Sequence, residues 1–439
     1  MSDQTRLKII NRFLVILCSV LIIVAGYYYI EYEDLGKDQG SKVSGPFHYF
    51  DIFIHGATSQ FQGNDGHVYL YTGKIGNFAY NARDAIIVNP TYYNGEILID
   101  LTSMSNCTGG LLALNASNGH ELWCTFFPNQ VMTQPIVHGN LAFVGLGNNK
   151  FQSSSIRGTG INYIAAVNIT NGNIAWKFFT TGEDMPTPVY YNGLIIEPTG
   201  GDIVYGLNAS TGSAVWSTSI PSYVSMSSPA ILNGIIYFGG ANPYIFYAIN
   251  ATNGNIVWEE PVSATGGLDD DSPVIFGNSV VTGYTETMIN GTFQMFEISF
   301  NITNGAINWI TNLGFGNQPA MPPIEDPPQT VFKNMILDEP TASNYIYAIN
   351  PFNGSIIWKF YTGMDDSNAN IYRGLIFTVN YTGEMFILNY NGHLIKKINT
   401  GIPLGPGNII FVGNHEIIYG MNGEIKSMYI PLKFRFYHF

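Results

Sequence analysis

The sequence predicts an all-β protein: a β-propeller of eight four-stranded antiparallel blades, with seven as the alternative, preceded by one N-terminal transmembrane helix. Three observations carry this. A motif ending in Trp recurs six times, a hairpin signal precedes each copy, and one long apolar run stands near the N-terminus.

The motif copies read ALNASNGHELW (Ala113 to Trp123), AVNITNGNIAW (Ala166 to Trp176), GLNASTGSAVW (Gly206 to Trp216), AINATNGNIVW (Ala248 to Trp258), SFNITNGAINW (Ser299 to Trp309) and AINPFNGSIIW (Ala348 to Trp358). In each, an Asn lies eight residues before the Trp, and these six Trp are all the Trp in the chain. Two weaker copies follow, ILNYNGHLIKKI from Ile387 and GMNGEIKSMYI from Gly420. Fixed-period self-similarity of this kind marks a repeat architecture.

The second element is an apolar strand, a Gly/Asn turn and another apolar strand. Examples are PTYYNGEILID from Pro90, PVYYNGLIIEP from Pro188 and PAILNGIIYFG from Pro229. Asn-Gly between apolar runs is a strong hairpin signal, because both central positions of a type I′ turn need positive φ. Each unit is therefore a hairpin of strands A and B, a loop, and a hairpin of strands C and D. Four short antiparallel strands make a propeller blade. The Trp spacings of 53, 40, 42, 51 and 49 residues leave room for variable loops. Pairing hairpins with motif copies gives eight units from about Pro90 to Ile430. The segment Asp65 to Gly76 is expected to close the ring by adding strands to the last, eroded blade.

The apolar run is Phe13 to Ile30. At about 1.5 Å per residue it nearly spans a hydrocarbon core. Arg6, Lys8 and Arg12 precede it, and Glu31, Glu33 and Asp34 follow. The positive-inside rule then sets the N-terminus in the cytoplasm and the rest outside. A cleaved signal peptide is the rival reading. The run's length, and Tyr directly after the small residues Val24-Ala25-Gly26, favour an uncleaved single-pass anchor. The expected layout is a cytoplasmic N-terminus (1–12), an anchor (13–30), a stalk or packed extension (31–62) and the propeller (63–439).

Charged residues make up 11 % of the chain and the formal net charge is −13. An acidic surface does not track a phosphate backbone, so nucleic acid is not an expected partner. The eight His are scattered and no CxxC occurs, so zinc and c-type haem lack support. Of three Cys, Cys107 and Cys124 fall in the external part. They flank the first C–D hairpin: a turn near Ser117 pairs residues summing to about 235, and this pair sums to 231. A disulfide between them, contributing about 3 kcal/mol, is the expectation, with two separate thiols as the alternative.

The pattern A-x-N-x-x-[NT]-G-x-x-x-W resembles the A-x-D-x-x-T-G-x-x-x-W repeat of the pyrroloquinoline-quinone (PQQ) propellers. The resemblance covers roughly residues 90 to 430. That family holds quinoprotein alcohol dehydrogenases and non-enzymatic, membrane-attached members. It implies that Trp123, Trp176, Trp216, Trp258, Trp309 and Trp358 dock between adjacent blades and are structural. One departure is systematic: the family's Asp is Asn here, at Asn115, Asn168, Asn208, Asn250, Asn301, Asn350 and Asn389. Asn accepts the same turn hydrogen bonds without titrating. With so few charges, this suggests an acidic external medium, such as that of an acidophilic archaeon.

N-x-[ST] sequons start at Asn106, Asn115, Asn168, Asn208, Asn250, Asn290, Asn301, Asn353 and Asn380. Five coincide with the turn Asn, where Ser or Thr suits a tight turn anyway. Asn106, Asn290 and Asn380 fall in expected B–C loops and are the better glycan candidates.

Acidic residues recur in the D–A loops: Glu183 and Asp184; Asp269, Asp270 and Asp271; Glu325 and Asp326; Asp365 and Asp366. Four blades would then direct carboxylates toward one mouth, a candidate Ca²⁺ or cation site. Ordinary solvated loop acids are the alternative. PQQ itself is not expected. The chain has no vicinal Cys pair, every Trp belongs to the repeat, and the nearest candidates for the cofactor's carboxylates are Lys150 and Arg157. The sequence favours a binding or scaffold module of the cell envelope, contacting protein or glycan, over an enzyme. A divergent PQQ- or Ca²⁺-dependent dehydrogenase at the outer face of the membrane is the alternative.

Overall fold

The computed structural model describes residues 77–429, apart from 83, 87, 104–107, 149–157, 289–291, 317–328, 341–342, 364–367, 403–408, 413–414 and 420–422. The expected anchor (13–30) and stalk (31–62) lie outside the described residues, as do Cys107, Asn106, Asn290, Glu325, Asp326, Asp365, Asp366, Lys150 and Arg157. Among the described residues no helix is long and apolar enough to cross a membrane.

Thirty-two described strands form eight four-stranded sheets. Blade 1 is β2 (Thr91–Tyr93), β3 (Glu96–Ser103), β4 (Thr108–Asn115) and β5 (Glu121–Phe127), paired in that order from A to D. The order repeats in blades 2 to 7: β6–β9 over 136–179, β10–β13 over 189–219, β14–β17 over 230–261, β18–β21 over 274–315, β22–β25 over 330–361 and β26–β29 over 370–399. Blade 8 takes β30 (Ile409–Val412), β31 (His415–Tyr419) and β32 (Glu424–Tyr429) from the end of the chain. Its D strand is β1 (Phe78–Asn81) from the beginning. The eight-blade count stands, and the closing strand lies just past the expected segment.

The A–B turns explain the hairpins. Asn94 and Gly95 have φ of 46° and 88°, and Asn192-Gly193 and Asn233-Gly234 do the same. Asn tolerates the left-handed region and Gly adopts it freely. Each C–D turn is built on the motif Asn. Asn168 Oδ1 accepts the Thr170 N–H at 2.9 Å, and Asn250 Oδ1 accepts the Thr252 N–H at 2.9 Å. This is the acceptor role expected where the family has Asp.

The Trp hold the blades together. A bulge in each C–D pairing of blades 1 to 7, such as that at Gly206/Leu207, lets two successive D-strand residues face outward. In the six Trp blades the next residue, the Trp, turns back to the following blade. Trp258 Nε1 donates to Ile302 O at 3.0 Å, and Trp176 Nε1 donates to Ala209 O at 3.0 Å. Trp123, Trp216, Trp309 and Trp358 donate likewise to Ile169, Ala251, Pro351 and Tyr390. The turn Gly of the receiving blade leaves room for the ring: a Cβ on Gly305 (φ 74°) would lie 2.7 Å from Trp258. Where blade 8 meets blade 1, Phe78 of β1 lies against Gly119 in the Trp's place. Between blades 7 and 8 the Trp position is Lys396, and the ring stack of Tyr372 on Phe411 (4.5 Å between centroids) packs that junction.

Candidate functional site

The D–A loops carry both the inner hydrogen bonds of the ring and its buried acids. Five of them enter the A strand through Pro, and in four of these, at Pro135, Pro188, Pro229 and Pro273, the loops link into one chain of hydrogen bonds. The residue before each Pro links to its neighbour. Gln134 N–H donates to Thr187 Oγ1 at 2.8 Å, Thr187 N–H to Ser228 Oγ at 2.8 Å, and Ser228 N–H to Ser272 Oγ at 3.0 Å. These form an inner belt across blades 2 to 5. The hydroxyl recurring before Pro, at Thr187, Ser228 and Ser272, is the sequence signal for this belt.

One residue earlier, the side chain accepts an N–H from the B strand. Gly145 donates to Thr133 Oγ1 at 3.2 Å, and Gly239 donates to Ser227 Oγ at 3.0 Å. In blade 5 the same place is taken by Asp271, whose Oδ2 accepts from Gly283 N–H. That oxygen also accepts from Thr282 Oγ1 at 2.8 Å and Gln329 Nε2 at 2.6 Å. A hydroxyl does this work elsewhere; here a carboxyl does it with Oδ1 to spare. Oδ1 is buried and has no hydrogen-bond partner. Burial pushes the Asp271 pKa up to about 8, with Asp338 adding to the rise and the three donors opposing it.

One position further back are Met132, Met185 and Met226, which cluster with Ala85 and Val88. The loops entering blades 1 to 4 thus contribute an apolar sector, and the loop entering blade 5 an acidic one.

The sequence-predicted acids that fall among the described residues are not solvated. Glu183, Asp184, Asp269 and Asp271 are each at most 3 % exposed; only Asp270 is half-buried. Nine carboxyl side chains are buried among the described residues, and no Lys, Arg or His is. Sequence reading missed five of the nine: Asp100, Glu197, Glu297, Asp338 and Glu339. Glycines open the space for some of them. A Cβ on Gly145 would strike Glu197 Oε1, and one on Gly200 would strike the Glu183 carboxyl. Glu197 has no partner on either oxygen, and Asp184 has none on Oδ1. Burial holds both well above the usual carboxylate range; Asp184 adds to the rise at Glu197, and Glu183 to that at Asp184. Thr180 Oγ1 donates to Asp184 at 2.5 Å and opposes the shift. Asp100, bonded to Thr133, is raised for the same reason.

The predicted convergence of D–A acids is not assembled from these residues. Glu183 and Asp184 sit in the loop entering blade 3, and Asp269 to Asp271 in the loop entering blade 5. Among the described residues no three His, Cys, Asp or Glu side chains gather closely enough to hold a metal ion. PQQ does not fit the described residues either. Its carboxylates meet no buried cation, and every Trp is committed to a blade junction.

Two further sequence candidates, Asn380 and Cys124, fall among the described residues. Asn380 is 4 % exposed, and its Nδ2 donates to Thr362 O at 2.8 Å and Glu384 Oε2 at 3.2 Å. That nitrogen is committed and buried in the fold. Cys124 is a free thiol among the described residues and stands opposite Leu112. Its expected partner, Cys107, lies outside the described residues.

The family described as outer membrane protein assembly factor BamB matches residues 100–222 and 160–327, together more than half of the chain. The chain is also 28 % identical over 392 residues to tetrathionate hydrolase of Acidithiobacillus ferrooxidans, covering 82 % of this chain and 77 % of that one. Tetrathionate hydrolase of Acidianus ambivalens is 27 % identical, covering 74 % and 67 %. BamB of Moranella endobia is 21 % identical, covering 78 % and 84 %. Among solved structures, BamB from Moraxella catarrhalis superposes with a TM-score of 0.60 at 16 % identity, covering 80 % of this chain and 98 % of that one. The quinohemoprotein alcohol dehydrogenase ADHIIG of Pseudomonas putida HK5 gives 0.60 at 11 %, covering 89 % and 82 %. Those two likenesses speak for the fold. The family match over more than half of the chain, with the Trp-docked blades, makes the chain a member of the PQQ-repeat propeller family described as outer membrane protein assembly factor BamB.

Proposed function

We propose that this propeller is an acid-adapted hydrolase outside the cytoplasm, held to the membrane by the segment 13–30, acting on a sulfur oxyanion of the tetrathionate class. The observation that carries the reading is Asp271. Its Oδ2 is filled by three donors, so its proton sits on Oδ1, which meets no acceptor among the described residues. Thr133 and Ser227 show that the fold needs only a hydroxyl there. A neutral carboxylic acid does not repel a dianion, and its O–H can donate to the sulfur anion that departs when water attacks and the S–S bond breaks. The likeness to two tetrathionate hydrolases over most of the chain supports the substrate class. The missing Cys pair argues against a quinoprotein dehydrogenase and does not bear on hydrolysis, which needs no redox cofactor.

The test is direct. The purified protein is incubated with tetrathionate at pH 3, and thiosulfate and acid release are followed. Asp271→Asn keeps an acceptor for the three donors and removes the carboxylic proton, so a fall in kcat of about 10²–10⁴ is expected. No turnover of tetrathionate or its tri- and pentathionate homologues by the native protein would end this reading.

A second reading, an envelope scaffold that binds a protein partner, rests on exposed aromatics at the ends of D strands. Phe126 and Phe179, in adjacent blades, are 76 % and 66 % exposed. Crosslinking from these two positions in native membranes tests it; no specific adduct would leave the hydrolase alone.

A further inference from the structure

The C–D turns carry a ring of sequons, one in each of blades 1 to 6: Asn115, Asn168, Asn208, Asn250, Asn301 and Asn353. A tight turn explains Asn followed by Ser or Thr in the first five. It does not explain the sixth. In blade 6 the turn Asn is Asn350, followed by Pro351 and Phe352, which abolishes the sequon there. Asn353-Gly354-Ser355, three residues on in the same turn, restores one. The corresponding Asn in the other blades, such as Asn118 and Asn171, are followed by Gly and then His or Asn.

The geometry leaves these side chains ready. In the five turn Asn only Oδ1 is engaged, accepting backbone N–H groups as at Asn208 from Ser210 (3.0 Å) and Thr211 (3.0 Å). Asn353 Oδ1 accepts from Ser355 N–H at 3.0 Å and its side chain is exposed. The amide nitrogens make no hydrogen bond, in contrast to the committed and buried Nδ2 of Asn380. The same end of the blades shows unpartnered apolar surface. The D-strand bulges turn pairs of aliphatic side chains outward just after the turn: Val215 is 55 % exposed, Val257 49 % and Ile357 49 %. Bulky groups standing on the adjacent turns would cover these side chains.

From these we infer that the six C–D turns are N-glycosylation sites, and that their glycans cover the apolar belt while the D–A face stays bare. The step is a group transfer. Asn Nδ2 bonds to the anomeric carbon of a lipid-phosphate-linked oligosaccharide, the lipid phosphate leaves, and the amide gives up one proton. The inference rests on the proposed location outside the cytoplasm.

The experiment has two arms on protein from its native cells. Whole cells are first labelled with a membrane-impermeant amine reagent, and the purified protein is then mapped by peptide mass spectrometry. The expected result is external labelling, with sugar mass on peptides carrying most of the six Asn and none on Asn380. Ser210→Ala removes one sequon yet keeps the Asn208 turn. It should lose that one mass increment with an unchanged melting temperature. An externally labelled protein with six bare Asn overturns the glycan inference alone. A protein neither labelled nor glycosylated overturns the location, and the inference with it.

Discussion

Titrating stability from pH 3 to 8 probes the buried acids. In the unfolded chain Asp271 has a pKa of about 3.9, and in the fold burial pushes it up to about 8. Below pH 4 both states hold the proton and its contribution to stability is fully present. Above that the unfolded chain ionises and the folded one does not, so stability falls until the folded pKa is passed. Four pH units at about 1.36 kcal/mol each give about 5 kcal/mol for this group. Asp100, Asp184 and Glu197 act in the same direction. The assay is urea unfolding followed by Trp fluorescence, since every Trp sits at a blade junction. The midpoint should be highest near pH 3 to 4 and drop steadily toward pH 8. Asp271→Asn should flatten part of that slope. A midpoint that holds or rises between pH 4 and 8, or an Asp271→Asn protein with the parent's slope, would refute the reasoning.

Other perturbations address the scaffold. Trp258→Ala removes a ring seated on Gly305 and its bond to Ile302, and should cost about 3–5 kcal/mol by urea denaturation. Gly305→Ala drives a Cβ toward that ring at positive φ and should cost more than about 1 kcal/mol. Thr187→Val strips the acceptor from Gln134 N–H, an expected loss of about 1–3 kcal/mol with faster amide exchange at Gln134; Thr187→Ser should restore both. Burial, with Glu121 and Asp84, raises the Cys124 thiol to about 11, so iodoacetamide at pH 8 should leave it unmodified until the protein unfolds. Failure to alkylate the unfolded, unreduced protein would instead reveal the bridge to Cys107.

The parts legible in the sequence were those fixed by local chemistry that repeats. Asn94-Gly95 announces its turn because few other residues accept two positive φ values in succession. Six Trp at one offset from a turn announce a junction because no other role would hold them there. The burial of the described acids was not legible, because charge alone suggests solvent. Their burial depends on Gly145 and Gly200 lying across the fold, and no spacing in the chain expresses that. Asp271 stood out only beside Thr133 and Ser227, its spatial equivalents. Asn380 looked like a loop sequon until its amide met Thr362 and Glu384.

The seam in blade 8 sets the order of events in the life of the chain. Phe78 lies opposite Ser427, and Tyr429 N–H reaches Asn77 across 352 residues. The first described strand waits, its edge unpaired, until the partner strand β32 has been made. Contacts so distant form slowly, and a bare edge strand invites other chains. Seven blades can stack as they appear, each Trp finding the next turn. The eighth can lock only once β30 to β32 have been made, so loss of those strands leaves an open ring rather than a smaller one.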